Sequence, residues 1–389
     1  MKAENISFDL LDGLLKCCRG YNIQFKNNNS NWIPMKSIYA DDWINKVENE
    51  MKYRKNCKFV MFLINKKTDN LYIPLKKHSL STKGYVSQVI KYESIMRILK
   101  KNKRGLDSYF SKILLQINNK LGGFNYFLNI PDEINKEKIM LIGIDSSHIW
   151  GRKTAKYNNK KTGVAMISTK DKNFSNFFSN FFSKEEIINY DKHCSLEIRN
   201  AISEFIEQAV KKYNKEYREN PNNIIIYRPG IEQNQIKNIQ LEVAHIEDIC
   251  QTLNIKYYYV LVNTRTNIKF FEKNTFNIKE VKAKYKNPEQ GLIIFDQITN
   301  ENRFEFYIQP QKVNIGSATP TYFHVAYGNM GLPRILIQLT YWTTYIYPNW
   351  QNAVRVPHVI KLAEKLASMT AKFTQSKLNE KLFDTQSFL

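Results

Sequence analysis

Residues 138–147, KIMLIGIDSS, are an almost unbroken apolar run that ends in a polar tip. A short run of this kind predicts a strand buried on both faces of a sheet, with Asp145 at its end. TGVAMISTKD (162–171) is a suitable antiparallel partner, and NNIIIYRPG (222–230) and KYYYVLVN (256–263) predict further buried strands. The other elements predicted in this half are a strand over 303–309 and helices over 195–213, 231–253, 333–345 and 357–370. Alternating strands and helices predict a mixed α/β sheet, whose ligands bind at the carboxyl ends of the strands.

The amino-terminal part of the chain shows a second α/β pattern. Strands are predicted over KFVMFLIN (58–65), LYIPLKK (71–77) and YVSQVIK (85–91). A helix follows that is capped by Asp107 or Ser108 and ends at a Gly-Gly pair. This part therefore predicts a smaller α/β domain ahead of the first.

The composition favours a polyanionic partner without identifying it. The chain has 389 residues and a net charge of +22, from 58 Lys and Arg against 36 Asp and Glu. A strong positive field attracts nucleic acid or an anionic membrane surface. Codon usage in an AT-rich genome would produce the same lysine excess, so charge alone leaves the partner open.

Cysteine usage and the amino terminus bear on the compartment. The five cysteines form no CxxC pair and no His-containing zinc spacing; they are Cys17, Cys18, Cys57, Cys194 and Cys250. We expect reduced thiols in an intracellular protein, cytoplasmic or nuclear. Acidic residues interrupt the apolar core that a signal peptide needs, and no apolar run reaches the roughly 18 residues of a membrane span. Secretion and membrane insertion are therefore not expected.

Several segments resemble those of the Argonaute/Piwi family in their order and spacing. SYFSKILLQINNKLGGFNYFL (108–128), followed by LIGIDSSH (141–148), resembles the junction between the MID and PIWI domains of that family. The resemblance continues through IIIYRPG (224–230), YYYVLVNTRTNIKFF (257–271), IGSATPTYFHV (315–325) and YIYPNWQNAVRVP (345–357). The last of these is similar to the Piwi branch specifically, and the resemblance covers roughly residues 50–389.

The resemblance implies an arrangement of domains. It predicts a Rossmann-like MID domain over 31–130 and an RNase H-like PIWI domain with a mixed central sheet over 131–389. Residues 1–30, which end in the polar tract KNNNSN, are predicted to be an arm or linker. Full family members also carry an N domain and a PAZ domain, which holds the guide's 3′ end. The chain is then a short member or a fragment, and a protein partner is expected to supply those functions or an effector activity.

The family holds the 5′-phosphate of a small guide RNA in the MID domain. The residues that match its phosphate ligands are Tyr72, Lys76, Gln88, Gln116 and Lys120. The chemistry suits the ligand, because a terminal phosphate carries nearly two charges and needs ammonium and polar donors. A tyrosine ring can also stack on the first base.

A magnesium ion is implied beside this phosphate. In the Piwi branch, a glutamine at the position of Gln116 and the C-terminal carboxylate hold Mg²⁺. This chain also ends in an apolar residue, Leu389, so the resemblance makes Gln116 and the Leu389 carboxylate the expected metal ligands. An ion there would replace a lysine charge found in other Argonautes.

The resemblance also locates the site at which family nucleases cleave their targets. Catalytic members place Asp, Glu, Asp and then Asp or His around two Mg²⁺ ions. Asp145, Glu197 and His324 match three of these positions, whereas Pro229 stands at the second Asp. Proline cannot ligate a metal, so a catalytic metal pair and target cleavage are not expected. Glu232 is a conceivable substitute ligand, three residues beyond Pro229.

Basic residues match family positions that contact the guide backbone. These are Arg265, Lys269 and Arg355. Phosphate contacts carry no sequence preference, so specificity would come from pairing between the guide, RNA or DNA, and a complementary RNA or DNA target. No membrane partner is expected.

Three functions remain open from the sequence. The first is a guide-binding Piwi module that silences targets by recruiting partners without cleaving them. The second is an active RNase H-like guide-dependent endonuclease that uses Asp145, Glu197 and His324. The third is a scaffold in a ribonucleoprotein that no longer binds a guide.

Overall fold

The computed structural model of the protein describes residues 3–21, 23, 32–54, 57–101, 104–150, 159–187, 196–230, 236–273, 285–296, 298–300, 302–373 and 375–389. The chain divides into two compact units, Met1–Asn125 with Ser376–Leu389, and Tyr126–Gln375. We call these unit 1 and unit 2. Their division at Asn125 lies close to the predicted boundary at residue 130. The C-terminal residues, however, which were predicted to belong to the second domain, pack in unit 1.

Unit 1 is built around a short parallel sheet. Its helices are α1 (Ala3–Gly20), α2 (Ala40–Tyr53), α3 (Tyr72–Lys77), α4 (Tyr92–Lys101) and α5 (Arg104–Lys120). Its strands are β1 (Phe59–Ile64) and β2 (Val86–Lys91). Successive side chains of a strand point to opposite faces. Met61 of β1 accordingly packs with α1, α4 and α5, whereas its neighbour Phe62 packs with residues of α2 and α3. Both faces of the sheet are thus covered by helices, as parallel strands require.

The prediction that residues 1–30 form an arm or linker was wrong for the part of that segment the structure describes. Helix α1 contributes Leu10, Leu14, Cys17 and Cys18 to the core of unit 1. These positions recur at helical spacing and form one apolar stripe. The stripe packs against α5 so closely that a Cβ added at position 13 would lie 2.3 Å from the ring of Phe110. The segment is therefore part of the domain core.

The prediction of a strand over 71–77 was also wrong, because these residues form helix α3. A 3₁₀ turn over Lys66–Leu71 precedes it, closed by reciprocal hydrogen bonds between Asn65 and Thr68. Pro74 lies in the first turn of α3, where a backbone N–H would have no helical partner, so proline is tolerated there. Proline in the middle of a strand would instead remove a sheet hydrogen bond, and this was the signal against a strand.

Unit 2 contains an eight-stranded sheet among the described residues. The strands of this sheet are β3 (Ile139–Trp150), β4 (Asn159–Thr169), β5 (Phe177–Ile187), β6 (Asn223–Pro229), β7 (Lys256–Asn263), β10 (Leu292–Ile294), β11 (Phe304–Gln309) and β12 (Thr321–Gly328), and a separate ribbon pairs β8 (Glu272–Lys273) with β9 (Tyr285–Lys286). The helices are α6 (Asp132–Asn135), α7 (Leu196–Tyr217), α8 (Ile236–Thr252), α9 (Pro333–Trp342) and α10 (His358–Thr370).

The sheet of unit 2 is mixed. Its strand order is β10-β11-β12-β7-β6-β3-β4-β5, with β6 parallel to both β3 and β7 and the other pairs antiparallel. Helix α10 lies directly on β3 and β4, because a Cβ at Gly143 would be 2.4 Å from the carbonyl oxygen of Val359. The prediction of a mixed α/β sheet is confirmed, and its central strands are those predicted from the apolar runs.

Candidate nucleic-acid interface

Two buried lysines converge on one main-chain oxygen in unit 1. Lys76 comes from the last turn of α3 and Lys120 from the end of α5, and they are 2% and 1% exposed. The ammonium of Lys76 donates to the carbonyl oxygen of Ser87 at 2.9 Å and to its hydroxyl at 3.1 Å. The ammonium of Lys120 donates to the same carbonyl oxygen at 3.0 Å. Side chains far apart in sequence thus meet at β2.

The two predicted glutamines complete this group. Gln88, which follows Ser87 in β2, accepts a hydrogen bond from Lys120 at 2.7 Å through its Oε1. Its Nε2 donates to the Oε1 of Gln116 at 3.4 Å. Gln116 precedes Lys120 by one helical turn, so both side chains lie on one face of α5. We call Lys76, Ser87, Gln88, Gln116 and Lys120 the lysine cluster.

The electrostatics of the lysine cluster favour an anion. The two ammonium nitrogens lie at most 5.9 Å apart, the sum of their distances to the Ser87 oxygen. Two positive charges at that separation repel by roughly 3 kcal/mol at an effective dielectric constant near 20. A group with nearly two negative charges is attracted to both ammonium groups, and a terminal phosphate is such a group.

Tyr72 lies beside the cluster rather than within its hydrogen-bond network. It begins α3, one helical turn before Lys76, and its ring packs partly buried against the core that contains Leu75. Burial raises the pKa of its hydroxyl, and the nearby Lys91 ammonium partly offsets that rise in pKa. A neutral tyrosine on the same helical face as Lys76 suits the predicted stacking and donor roles.

Two serines that the sequence analysis missed organise the cluster. Ser87 supplies the carbonyl oxygen that both lysines share, and its hydroxyl contacts the hydroxyl of Ser79 at 2.9 Å. Ser79 also donates to the carbonyl oxygen of Lys76 at 3.0 Å. The sequence feature that could have indicated this role is Ser87 itself, a small polar residue directly before Gln88 in β2.

The C-terminal segment belongs to the same unit as the cluster. Leu389 is 5% exposed, and its backbone N–H donates to the carbonyl oxygen of Gln386 at 3.0 Å. The preceding residues Ser387 and Phe388 are also buried. The end of the chain is therefore held within the domain that contains Gln116.

In unit 2, Asp145 lies on β3 in register with Ala165 of β4. One of its carboxylate oxygens accepts the backbone N–H of Ser146 at 2.8 Å. Burial raises the pKa of Asp145 to about 6, while Arg228 and Lys361 act against this rise and Glu364 adds to it. The carboxylate is thus held in surroundings that disfavour its charge.

Pro229 ends β6 beside Asp145. The parallel pairing of β3 with β6 ends at Gly143 and Tyr227, and Asp145 and Pro229 each follow two residues later on their own strand. Neighbouring strands lie about 4.8 Å apart, so a carboxylate at position 229 would be well placed to share a dication with Asp145. Proline supplies no such ligand.

His324 lies further along the sheet, on β12. It pairs with Leu261 of β7 and with Glu305 of β11, and its Nδ1 is buried with no hydrogen-bond partner among the described residues. Burial lowers the pKa of His324, whereas Glu305 raises it and Arg303 lowers it. The charged residues that act on Asp145 are Arg228, Lys361 and Glu364 instead. The side chain of Glu197, at the start of α7, and Glu232 lie outside the described residues.

The predicted backbone-binding residues gather at one end of β7 in unit 2. Arg355 donates through Nη2 to the carbonyl oxygens of Thr264, at 2.5 Å, and Thr319, at 3.4 Å. Lys269 donates to the hydroxyl of Thr319. Arg265, which follows Thr264, is exposed, and its N–H bonds Asn263 at 2.7 Å. The three basic residues therefore lie around one pair of threonines.

Comparison with known proteins decides the family. The Piwi domain model matches residues 59–375. The chain belongs to the Piwi family. The match includes α3, α5 and the whole sheet of unit 2, so it covers the lysine cluster together with the Asp145 and Pro229 pair.

The Piwi relatives extend beyond this chain. Protein argonaute-3 of Drosophila melanogaster is 28% identical over 383 residues, which are 96% of this chain and 40% of that protein. The crystal structure of Drosophila Piwi superposes with a TM-score of 0.76 at 24% identity, over 98% of this chain and 48% of that chain. The Kluyveromyces polysporus Argonaute with a guide RNA also gives 0.76, at 17% identity, over 100% of this chain and 49% of that chain. The present chain spans about two fifths of the curated relative.

Three further structural findings concern this Piwi-family chain. Among the described residues, no group of three or more His, Cys, Asp and Glu side chains is arranged to hold a metal ion, and no helix has the length and apolarity needed to cross a bilayer. Cys17, Cys18, Cys57 and Cys250 form no disulfide among the described residues, and Cys194 lies outside them.

The pKa of Asp145 yields a prediction about pH and stability. Burial raises this pKa from 3.8 to about 6. At pH values above about 6 the carboxylate is ionised in the folded state, and its ionised form destabilises the fold. This cost disappears as the pH falls from about 6 to below 3.8. We expect Asp145→Asn to stabilise the chain by about 1–2 kcal/mol at pH 7.5 and by almost nothing at pH 4.

Thermal unfolding at both pH values measures this difference. The amide retains an acceptor for the Ser146 N–H, so the comparison isolates the charge. Asp248→Asn is the control, because that side chain is exposed on α8 and its replacement should change stability little at either pH. Equal stabilisation by Asp145→Asn at both pH values would contradict the assignment.

Proposed function

We propose that this chain binds the 5′-phosphorylated end of a small guide RNA through the lysine cluster of unit 1. The supporting observation is the convergence of the Lys76 and Lys120 ammonium groups on one oxygen of Ser87, with Gln88 bonded to Lys120. Two ammonium groups held this close together attract a dianion and can both donate hydrogen bonds to it. The similarity to an Argonaute crystallised with a guide RNA supports the choice of ligand.

Gln116 and the carboxylate of Leu389 are the proposed ligands of a Mg²⁺ ion beside the phosphate. Both offer hard oxygen atoms, and both residues belong to unit 1. A bound ion would add positive charge next to the phosphate. Gln116 would then orient its amide oxygen with the help of the hydrogen bond from Gln88.

Target recognition in this proposal uses base pairing to the guide. Arg265, Lys269 and Arg355 hold the guide backbone in unit 2, so binding weakens with salt and shows no sequence preference of its own. The paired target is silenced by recruited partners rather than by cleavage, because position 229 lacks a carboxylate. An RNase H-like nuclease that uses Asp145 and His324 receives less support, since Pro229 supplies no metal ligand between them in the family's set of four residues.

The decisive experiment compares guides that differ only at the 5′ end. The full chain is titrated with a 5′-phosphorylated and a 5′-hydroxyl RNA of one sequence, at fixed salt and Mg²⁺. We expect the phosphorylated guide to bind about 100-fold more tightly, since each charge-assisted hydrogen bond contributes about 1.5–3 kcal/mol. Equal affinities for the phosphorylated and the hydroxyl guide would contradict the proposal.

A further inference from the structure

The C-terminal residues 376–389, here called the tail segment, are anchored on the loop that follows α3. The backbone N–H of Asn379 donates to the carbonyl oxygen of Leu80 at 2.9 Å. Its side-chain amide donates to the carbonyl oxygen of Thr82 at 3.4 Å and accepts the N–H of Lys381 at 3.2 Å. The flanking residues Leu378 and Leu382 are 4% and 3% exposed, so this contact is part of the packed structure.

The loop over residues 78–84, which Asn379 contacts, leaves space for the asparagine side chain. Residues His78–Lys83 form a π-helical turn that ends at Gly84, whose φ of +74° favours glycine. A Cβ at Gly84 would lie 2.4 Å from the Oδ1 of Asn379. Any larger residue at position 84 would therefore both strain the backbone and push against Asn379.

The anchored loop leads directly to the lysine cluster. Leu80 follows Ser79, whose hydroxyl contacts the Ser87 hydroxyl at 2.9 Å and donates to the Lys76 carbonyl oxygen at 3.0 Å. Ser79 also accepts the N–H of Tyr85 through its own carbonyl oxygen, at 3.1 Å. The backbone that Asn379 holds is thus one residue from the serine that fixes α3 against β2.

We infer that Asn379 is a positioning residue for the guide 5′-phosphate. It acts through Leu80 and Ser79 on the distance between Lys76 and Ser87, without touching the guide. This inference rests on the proposed function. It assigns the tail segment a role in phosphate recognition besides that of its terminal carboxylate, which lies ten residues beyond Asn379.

The test measures discrimination between 5′-phosphorylated and 5′-hydroxyl RNA by full-length variants. We expect Asn379→Ala to lower the affinity for the phosphorylated guide about tenfold and to leave the hydroxyl guide within about twofold, because a loosened supporting contact misplaces the ammonium groups. Asn49→Ala is the matched control, since it removes the same side chain from the exposed surface of α2 in unit 1.

A second variant tests the same contact by altering Gly84, at the end of the loop that Asn379 contacts. Gly84→Ala should also reduce discrimination, and the double variant with Asn379→Ala should lose less than the product of the two single effects, because both act on one contact. Unchanged discrimination in Asn379→Ala, or an equal loss for both guides, would overturn this inference alone. If the unaltered chain bound the phosphorylated and the hydroxyl guide equally well, both the proposed function and this inference would be contradicted.

Discussion

Replacing Lys76 and Lys120 together by methionine is expected to abolish selection for a 5′-phosphorylated guide. The two ammonium groups lie within 5.9 Å of each other at the Ser87 oxygen, so a phosphate can contact both at once. Each charge-assisted hydrogen bond contributes about 1.5–3 kcal/mol, so the pair should account for the whole of the roughly 100-fold preference for the phosphorylated guide. Methionine keeps most of the buried volume, which limits the effect on packing.

The matched control for this prediction is Lys112→Met. Lys112 lies on the same helix as Lys120 but is exposed, so its loss removes one charge from the surface without entering the cluster. Affinities for phosphorylated and hydroxyl guides should be measured by titration at one salt concentration. The double variant should bind the hydroxyl guide within about threefold of the unaltered chain, apart from a general charge effect. If the double variant still preferred the phosphorylated guide, the phosphate would have to bind elsewhere.

The second large effect concerns position 229. We expect the guide-loaded chain to cleave a matched target at a rate at least about 10³-fold below that of a family nuclease with all four catalytic residues, because groups that act as a unit lose most of their activity when one is absent. Pro229→Asp would bring a carboxylate near Asp145 on the neighbouring strand. This variant should gain Mg²⁺ binding.

Metal binding can be measured without cleavage. Addition of millimolar Mg²⁺ should raise the unfolding temperature of Pro229→Asp by several degrees and leave that of Pro229→Ala unchanged, since only a ligand that binds the folded state stabilises it. Pro229→Ala controls for the loss of the proline ring. Mg²⁺-dependent cleavage of a matched target by the unaltered chain would contradict the proposal that Pro229 inactivates the site.

The amount that could be predicted from the sequence differs between parts of the candidate site. The end of α5 was predicted well, because the apolar positions recur at helical spacing and the spacing of Gln116 and Lys120 follows from one helical turn. The segment with Tyr72 and Lys76 was predicted as a strand, since a six-residue helix is too short for its periodicity to decide. Its helical form depends on the turn before it and on packing with α2.

By itself, the sequence of this protein determined the apolar strands, the long helices and the ordered segments that identify the Piwi family, because each depends on residues close together along the chain. The tertiary structure alone decided which distant groups meet. It brought Lys76 and Lys120 to the Ser87 oxygen, α1 into the core of unit 1, and Asn379 onto the loop before Gly84. These contacts join residues of different elements, and local propensity carries no information about such pairings because their free energy arises only when both elements are already folded.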